Sequence, residues 1–257
     1  MLEIRHRAVL EPGTTQDAYD RYFQERDMLL RDSFYLWLVE LLHPSPDGLL
    51  VDISCGQGKL VELATVRGLR AVGVDFSYRG LLKAQAAAPA AAWVAGDGEQ
   101  LPIADRTVDY VTHIGSLEHY EHMALGAREI GRILKPAGRA CILLPNAFGL
   151  LGNIRYVRRH GEIFDDGQPL QRYATRQTWA ALLEQGGLEI ERVVPWGEVE
   201  RPRTRRDLLR MVCRPQKIVR GVLAALTPVN LANHLVFLCR PARGPVAPRH
   251  IPTLAGQ

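Results

Sequence analysis

The stretch that decides the fold is Val51-Asp52-Ile53-Ser54-Cys55-Gly56-Gln57-Gly58-Lys59-Leu60, in which an apolar run ends in a turn that contains two glycines. Gly56 and Gly58 permit a tight passage from a strand into a helix and let a ligand approach bare backbone. In an open α/β sheet such a turn lies at the carboxyl end of a strand, where ligands bind. Because many surface turns also contain a glycine pair, the residues that follow must decide between a structural and a functional interpretation.

Short apolar runs alternate with helical stretches after this turn. The runs are nearly continuous, which is typical of strands buried on both faces, and they are Leu49–Ile53, Ala71–Val74, Ala92–Ala95, Val108–Thr112 and Ala140–Leu144. Strand–helix–strand repetition predicts a mostly parallel sheet with helices on both faces. Two later runs, Leu188–Val194 and His234–Cys239, bring the predicted sheet to seven strands.

Two further segments flank or interrupt this pattern. Asp17–Leu42 has apolar residues at three- and four-residue steps and predicts one amphipathic N-terminal helix. Glu198–Ala232 is predicted to be a basic helical insert before the last strand, since eight cations face one acid between Arg201 and Arg220. We expect a single domain over residues 1–240 and a disordered tail over 241–257.

Composition limits the function classes. The formal charge of +4 over 257 residues is too small to imply a nucleic-acid partner, and the chain has no clustered aromatic residues for base stacking. The four cysteines lie far apart without metal-ligand spacing, so no metal is expected. No apolar run approaches the length of a membrane span, and no signal peptide is recognisable, so we predict a cytoplasmic protein.

Acidic residues follow the next strands at informative positions. Asp75 ends the second apolar run, where a carboxylate can accept both ribose hydroxyls of an adenosine-like ligand. Asp97 follows the third run, where an adenine amino group would need an acceptor. A lone aspartate is usually a turn or cap residue. Acidic or glycine-rich ends on three successive strands are harder to explain in that way.

This ordered set resembles the class I S-adenosylmethionine-dependent methyltransferases, in particular the group around the ubiquinone and menaquinone biosynthesis methyltransferases, over about Leu49–Val194. Glu129–Gly138 closely matches that family's helix and turn before the fifth strand, whereas Ser54 stands at the position of its usual first glycine. The resemblance implies a Rossmann-like sheet and S-adenosylmethionine as cofactor. It implies cofactor contacts from Asp52, Ser54, Cys55, Gly56, Gly58, Asp75, Phe76, Gly96, Asp97, Gly98, Ile114 and Gly115.

Residues beyond the fourth and fifth strands are candidates for the acceptor side. Methyl transfer from a sulfonium depends mainly on alignment, and a base is needed only if the acceptor must lose a proton early. His119 is the best candidate base and His113 a weaker one, while Glu118 is interpreted as a solvated helix residue. Acceptor contacts are predicted for Asn146, Arg172 and Tyr173. Packing, capping or turn roles remain open for all of these residues.

The predicted function is methyl transfer to a small molecule or to a glycan or lipid-linked sugar, and the alternative is a non-catalytic S-adenosylmethionine-binding protein of the same fold. A nicotinamide-dependent dehydrogenase is disfavoured, because no third glycine follows Gly58 at the required spacing. The basic insert suits a lid over an anionic substrate or, through residues 201–223, peripheral contact with a membrane surface. A merely solvated charged face is the other interpretation of the insert.

Overall fold

The structure, a computed structural model, describes residues 1–6, 15–25, 27, 29–198, 205, 209, 213 and 215–244. Its strands, in chain order, are β1 (Leu2–Arg5), β2 (Leu49–Ile53), β3 (Arg70–Asp75), β4 (Ala92–Ala95), β5 (Val108–Ile114), β6 (Leu134–Pro145), β7 (Leu170–Tyr173), β8 (Leu188–Trp196) and β9 (His234–Pro241). Its α-helices are α1 (Thr15–Glu25), α2 (Asp32–Leu41), α3 (Lys59–Val66), α4 (Tyr78–Ala87), α5 (Met123–Ile133), α6 (Arg155–His160), α7 (Arg176–Gln185) and α8 (Pro215–Leu226).

Seven strands form one sheet in the order β4-β3-β2-β5-β6-β9-β8. The first five of these pair in parallel, and β9 is antiparallel to both β6 and β8. This confirms the predicted Rossmann-like, mostly parallel sheet. The chain proceeds outward from β2 to β4 and then returns to β5 on the other side of β2, so the strand order reverses there. Such a switch point is where open α/β sheets bind ligands.

Helices cover both faces of the sheet, since alternate residues of β6 belong to two different hydrophobic cores. Successive residues of a strand point to opposite faces. Ile142 belongs to the core formed with α5 and α7, which includes Trp179. Cys141 and Leu143 belong to the core formed with α2 and α3, which includes Leu38. The near-continuous apolar run of this strand therefore reflects burial on two sides.

The prediction of one helix over Asp17–Leu42 is wrong, because two helices occupy this segment. Arg31, the residue before α2, is extended with φ −72° and ψ 150°. The two helices also pack on different partners: α1 contacts α4, whereas α2 contacts α3. Apolar spacing that continues across the break therefore reflects two separate buried faces.

The chain's later segments are described in part. Within the predicted basic insert 198–232, helix α8 and the short 3₁₀ turn Val229–Leu231 are described, while 199–204 and most of 206–214 lie outside the described residues. Strand β9 extends to Pro241, and 245–257 of the predicted tail lie outside the described residues. Among the described helices, none is long and apolar enough to cross a bilayer.

A small two-stranded sheet lies beside the main one. Strands β1 and β7 pair antiparallel, with Glu3 opposite Arg172. The segment from the end of β6 to β7 contains a π-helical turn, Leu150–Ile154, followed by α6. These elements bring the chain's N-terminus and residues 146–173 to the end of the main sheet where the site lies.

Candidate active site

A cavity of about 1390 Å³ opens at the carboxyl ends of β2, β3, β5 and β6. It brings together most of the residues predicted from the sequence: Asp52, Ser54, Cys55, Gly56, Asp75, Phe76, Asp97, Gly98, Ile114, Gly115, His119, Asn146 and Tyr173. Gly58, Gly96 and Arg172 do not line it. Polar groups from four strand ends thus converge on one space.

The loop between β2 and α3 has an unusual backbone. Ser54, Gly56 and Gly58 have φ values of +55°, +52° and +72°, in the left-handed region that favours glycine. Gly58 precedes α3 and packs under the Trp93 ring, to which an added Cβ would approach within 2.1 Å. Gly58 is therefore required by packing and conformation, and the loop it closes presents Ser54, Cys55 and Gly56 to the cavity.

Asp75 holds this loop against the end of β3. Its Oδ2 accepts a hydrogen bond from the Gly56 amide at 2.7 Å, and its Oδ1 accepts one from the Ser77 amide at 2.8 Å. Burial raises the pKa of Asp75 to about 6, against the lowering effect of these two amides. A carboxylate offers about four acceptor positions. Asp75 lines the cavity with acceptor capacity left over from its bonds to the backbone, so it fits the predicted cofactor contact.

Asp52 lies deeper in the site. It is buried, and its Oδ1 accepts a hydrogen bond from the Thr112 hydroxyl of β5 at 2.7 Å. Burial raises the pKa of Asp52 to about 7, and the charge of Asp75 adds to this effect. The bond joins the two strands on either side of the switch point, directly below the glycine loop.

The adenine side of the predicted site is built on two closely packed glycines. A Cβ on Gly98 would lie 1.8 Å from the Tyr120 hydroxyl, and one on Gly96 would lie 2.8 Å from the Pro102 ring. Asp97, between them, is exposed, and its Oδ1 accepts a hydrogen bond from the Glu99 amide at 2.8 Å. Asp97 therefore keeps acceptor capacity toward the cavity.

Tyr120 joins both sides of the site and was missed from the sequence. Its hydroxyl lies 2.7 Å from Ser54 Oγ and 3.1 Å from His113 Nε2. Burial raises the pKa of Tyr120 and lowers that of His113 to about 3, so His113 is neutral. The serine that replaces the family's usual glycine is thus hydrogen-bonded into this chain. Nothing near Tyr120 in the sequence signals a contact 66 residues away.

His119 lines the cavity in a defined tautomer. Its Nδ1 lies 2.5 Å from the Leu170 carbonyl oxygen, which can only accept, so the ring proton is on Nδ1 and Nε2 carries the free electron pair. Burial lowers the pKa of His119, which keeps the ring neutral. An unprotonated nitrogen at the cavity wall is what the predicted role as a base requires.

The interpretation of Glu118 as a solvated residue is wrong. Glu118 is only 4% exposed and lines the cavity beside His119. Burial raises its pKa to about 8, and the charge of Asp166 adds to this effect. The 3₁₀ turn Leu117–His119 after β5 folds the side chain inward instead of continuing into a solvent-facing helix.

The three predicted acceptor contacts are already engaged with the protein. The Asn146 amide group donates to the carbonyls of Asn230 and Ala232 at 2.8 Å. Arg172 Nε donates to Glu3 at 2.7 Å, and its Nη1 donates to a backbone carbonyl of the turn after β5. The Tyr173 hydroxyl donates to the Phe164 carbonyl at 2.9 Å. These bonds favour roles in shaping the site, and contact with the acceptor remains a prediction for all three.

Cationic and aromatic side chains line the remainder of the cavity. Arg155, Arg159 and His160 reach it from the segment around α6, and Phe34 stacks on Trp196 with ring centroids 4.3 Å apart. Among the described residues, no group of His, Cys, Asp or Glu side chains is arranged to hold a metal ion.

Comparison with known proteins agrees with this geometry. Residues 51–142 match a family described as a methyltransferase domain. A demethylmenaquinone methyltransferase of Corynebacterium kroppenstedtii is 40% identical over 101 residues, which cover 39% of this chain and 43% of that protein. An uncharacterized methyltransferase of Mycobacterium tuberculosis is 31% identical over 165 residues, which cover 62% of this chain and 61% of that protein. The chain thus spans about half the length of these curated relatives.

A solved S-adenosylmethionine-dependent methyltransferase of Mesorhizobium loti has the same fold, with a TM-score of 0.59 at 18% identity over 81% of this chain and 97% of that one. The sheet order, the glycine loop and Asp75 at the end of β3 stand where the resemblance places them. Residues 51–142 therefore match a methyltransferase domain, and the chain has the fold of S-adenosylmethionine-dependent methyltransferases.

Proposed function

We propose that this chain transfers a methyl group from S-adenosylmethionine to a small-molecule acceptor. The observation that carries the proposal is that the glycine loop with Asp75 and the His119 ring line one continuous cavity. Ligand pockets commonly measure about 300–1,000 Å³. The cavity of about 1390 Å³ therefore has room for a cofactor and an acceptor side by side.

The cofactor end follows from the groups on its wall. Asp75 would accept hydrogen bonds from ribose hydroxyls, Asp97 would accept one from the adenine amino group, and the backbone around Gly56 would lie along the methionine part. When bound, the cofactor supplies an electrophilic methyl group. The chain's own task is to hold the acceptor in line with that group and to exclude water, which can contribute on the order of 7–11 kcal/mol to lowering a barrier.

For the acceptor we favour a small aromatic molecule over a glycan or lipid-linked sugar. The stacked Phe34 and Trp196 rings at the cavity wall suit a flat apolar body, and Arg155 with Arg159 suits an anionic substituent. The relative from Corynebacterium kroppenstedtii is named as acting on demethylmenaquinone, which supports a quinone-like acceptor. The free thiols of Cys55, Cys141 and Cys239 are consistent with the predicted cytoplasmic site of action.

A turnover experiment tests this function. The full chain is incubated with S-adenosylmethionine labelled in its methyl group and with panels of naphthols, hydroquinones and sugars. We expect label to enter an aromatic acceptor with the wild type, and the rate to fall at least tenfold with Asp75→Asn. Tight binding of S-adenosylmethionine without labelling of any acceptor would favour the non-catalytic binding protein instead.

A further inference from the structure

Two buried oxygen atoms at the cavity wall have no hydrogen-bond partner within the part of the chain that the structure describes. They are Glu118 Oε2 and Gln171 Oε1, and each residue is only 4% exposed. Both residues line the cavity, Glu118 from the turn after β5 and Gln171 from β7. Leaving a buried acceptor without a hydrogen bond is energetically costly, and more so for a charged group. Two such atoms in one cavity indicate a missing hydrogen-bond donor.

The position of Glu118 places the missing hydrogen-bond donor on the acceptor side of the site. A Cβ on Gly115 would lie 3.7 Å from Glu118 Oε1, so the carboxyl group stands just beyond the exit of β5. His119 Nε2 lies 3.9 Å from the same oxygen. The Glu118 carboxyl group therefore lies beside Ile114 and Gly115, the predicted cofactor contacts on the same short segment.

Within the described part of the chain, no cation contributes to the pKa shift of Glu118. Burial raises the pKa of Glu118, of Tyr19 on α1 and of Tyr173 on β7, and the charge of Asp166, before β7, adds to all three shifts. The Glu118 charge adds further to the shifts of the two tyrosines. The adjacent His119 is kept neutral by burial. Arg172, the nearest guanidinium on β7, is bonded to Glu3. A carboxylate in such surroundings would gain most from a donor supplied by a ligand.

We propose that Glu118 and Gln171 form a subsite that binds the hydroxyl group of the methyl acceptor, with Glu118 accepting its proton. This rests on the proposed function. As the acceptor oxygen bonds to the methyl carbon, its O–H bond breaks and the proton passes to Glu118 Oε2. The electron pair of the broken carbon–sulfur bond stays on sulfur. The neutral Nε2 of His119 is close enough to take up that proton once the carboxyl group shifts or a water intervenes.

The proposed subsite predicts that a molecule with a free hydroxyl group binds more tightly than the same molecule with a methyl ether in its place. The probes are 2-naphthol and 2-methoxynaphthalene, titrated into the full chain saturated with S-adenosylhomocysteine and followed by calorimetry at about pH 9, where the carboxyl group of Glu118 is ionised although burial raises its pKa to about 8. We expect the wild type to bind 2-naphthol at least about tenfold more tightly, since a hydrogen bond to a charged group contributes about 1.5–3 kcal/mol. Glu118→Gln should reduce this preference below about threefold.

A matched variant and a separate readout distinguish the outcomes. Glu189→Gln, on β8 outside the cavity lining and with a side chain that is 47% exposed, should keep the wild-type preference. S-adenosylhomocysteine should bind Glu118→Gln within about twofold of the wild type, which shows that the fold and cofactor end are intact. Equal affinity of the wild type for both probes, binding of neither probe, or an undiminished preference in Glu118→Gln overturns the subsite. A wild type that fails to bind S-adenosylhomocysteine overturns the proposed function, and the subsite with it.

Discussion

Replacing Gly58 by alanine should destabilise the chain more than the same replacement at Gly68. Both glycines have positive φ, +72° and +84°, so each alanine must adopt a left-handed conformation that costs about 1–2 kcal/mol. The two positions differ in their surroundings. A Cβ at Gly68 meets no atom within 4 Å, whereas one at Gly58 meets the Trp93 ring at 2.1 Å and Ala84 at 2.8 Å.

The difference between the variants measures the close approach of β4 and α4 to the glycine loop. Overpacking a well-packed site costs about 1–3 kcal/mol. We therefore expect Gly68→Ala to lower the free energy of unfolding by about 1–2 kcal/mol and Gly58→Ala by about 2–5 kcal/mol. Gly58→Ala should also weaken S-adenosylmethionine binding, because a shift of Trp93 or of the loop displaces Gly56 from Asp75.

Urea unfolding at constant pH, followed by tryptophan fluorescence and by circular dichroism, gives both free energies. Coincident transitions from the two probes would justify a two-state treatment. Equal losses in the two variants would refute the argument, because left-handed strain alone would then account for both. Loss of stability without any loss of cofactor affinity would refute the link between the packing of Gly58 and the site.

Three further changes have defined outcomes. Burial raises the pKa of Glu118 from 4.5 to about 8, so between these pH values the folded chain holds a proton that the unfolded chain has lost. The free energy of unfolding should therefore fall as pH rises from 4.5 to 8, by up to about 1.4 kcal/mol per pH unit. Urea unfolding of Glu118→Gln should show a flatter pH profile, and an unchanged slope would contradict the raised pKa. Tyr120→Phe removes a hydroxyl with two partly buried hydrogen bonds and should lower the free energy of unfolding by about 1–3 kcal/mol in thermal or urea unfolding. The loss should exceed that of Tyr110→Phe, whose hydroxyl bonds at an exposed position, and the reverse order would contradict the account. If α8 contacts membranes, Leu226→Asp should reduce cosedimentation of the chain with phosphatidylglycerol vesicles. Val66→Asp, on α3, should not, even though Leu226 and Val66 are similarly exposed, at 75% and 80%. A wild type that does not cosediment with the vesicles would contradict the membrane hypothesis.

Local sequence patterns predict much of the fold. The strands β2, β3, β5 and β6 contain near-continuous apolar runs because residues on both of their faces are buried, whereas β4 is a short edge strand that is half-exposed. The residues at their carboxyl ends, Asp52, Asp75 and Asp97, gather at one edge because parallel strands all end there. The parallel topology therefore brings residues that are far apart in the sequence together at one site, and this can be predicted without knowing how the side chains pack.

What the sequence did not show depends on contacts between distant segments. Arg172 is bonded to Glu3, 169 positions away, and no local pattern distinguishes such a pair from a guanidinium that points at a ligand. Asn146 is likewise held by carbonyls of the turn before β9. The sequence predicts Glu118 in solvent because charged residues usually lie there, but the turn after β5, which packs against β7, buries it. Burial of polar groups is a tertiary property, so local sequence patterns predicted it least well.

The central claim is that Asp75 and the glycine loop bind S-adenosylmethionine, and calorimetric titration of the wild type and Asp75→Asn tests it most directly. The asparagine keeps the shape but removes the charge that accepts from Gly56 and Ser77, so affinity should fall by about ten- to a hundredfold, since hydrogen bonds to charged groups contribute about 1.5–3 kcal/mol. Asp47→Asn, at an exposed position, should bind as the wild type does. Equal affinity of all three chains, or no binding by the wild type, would contradict the account.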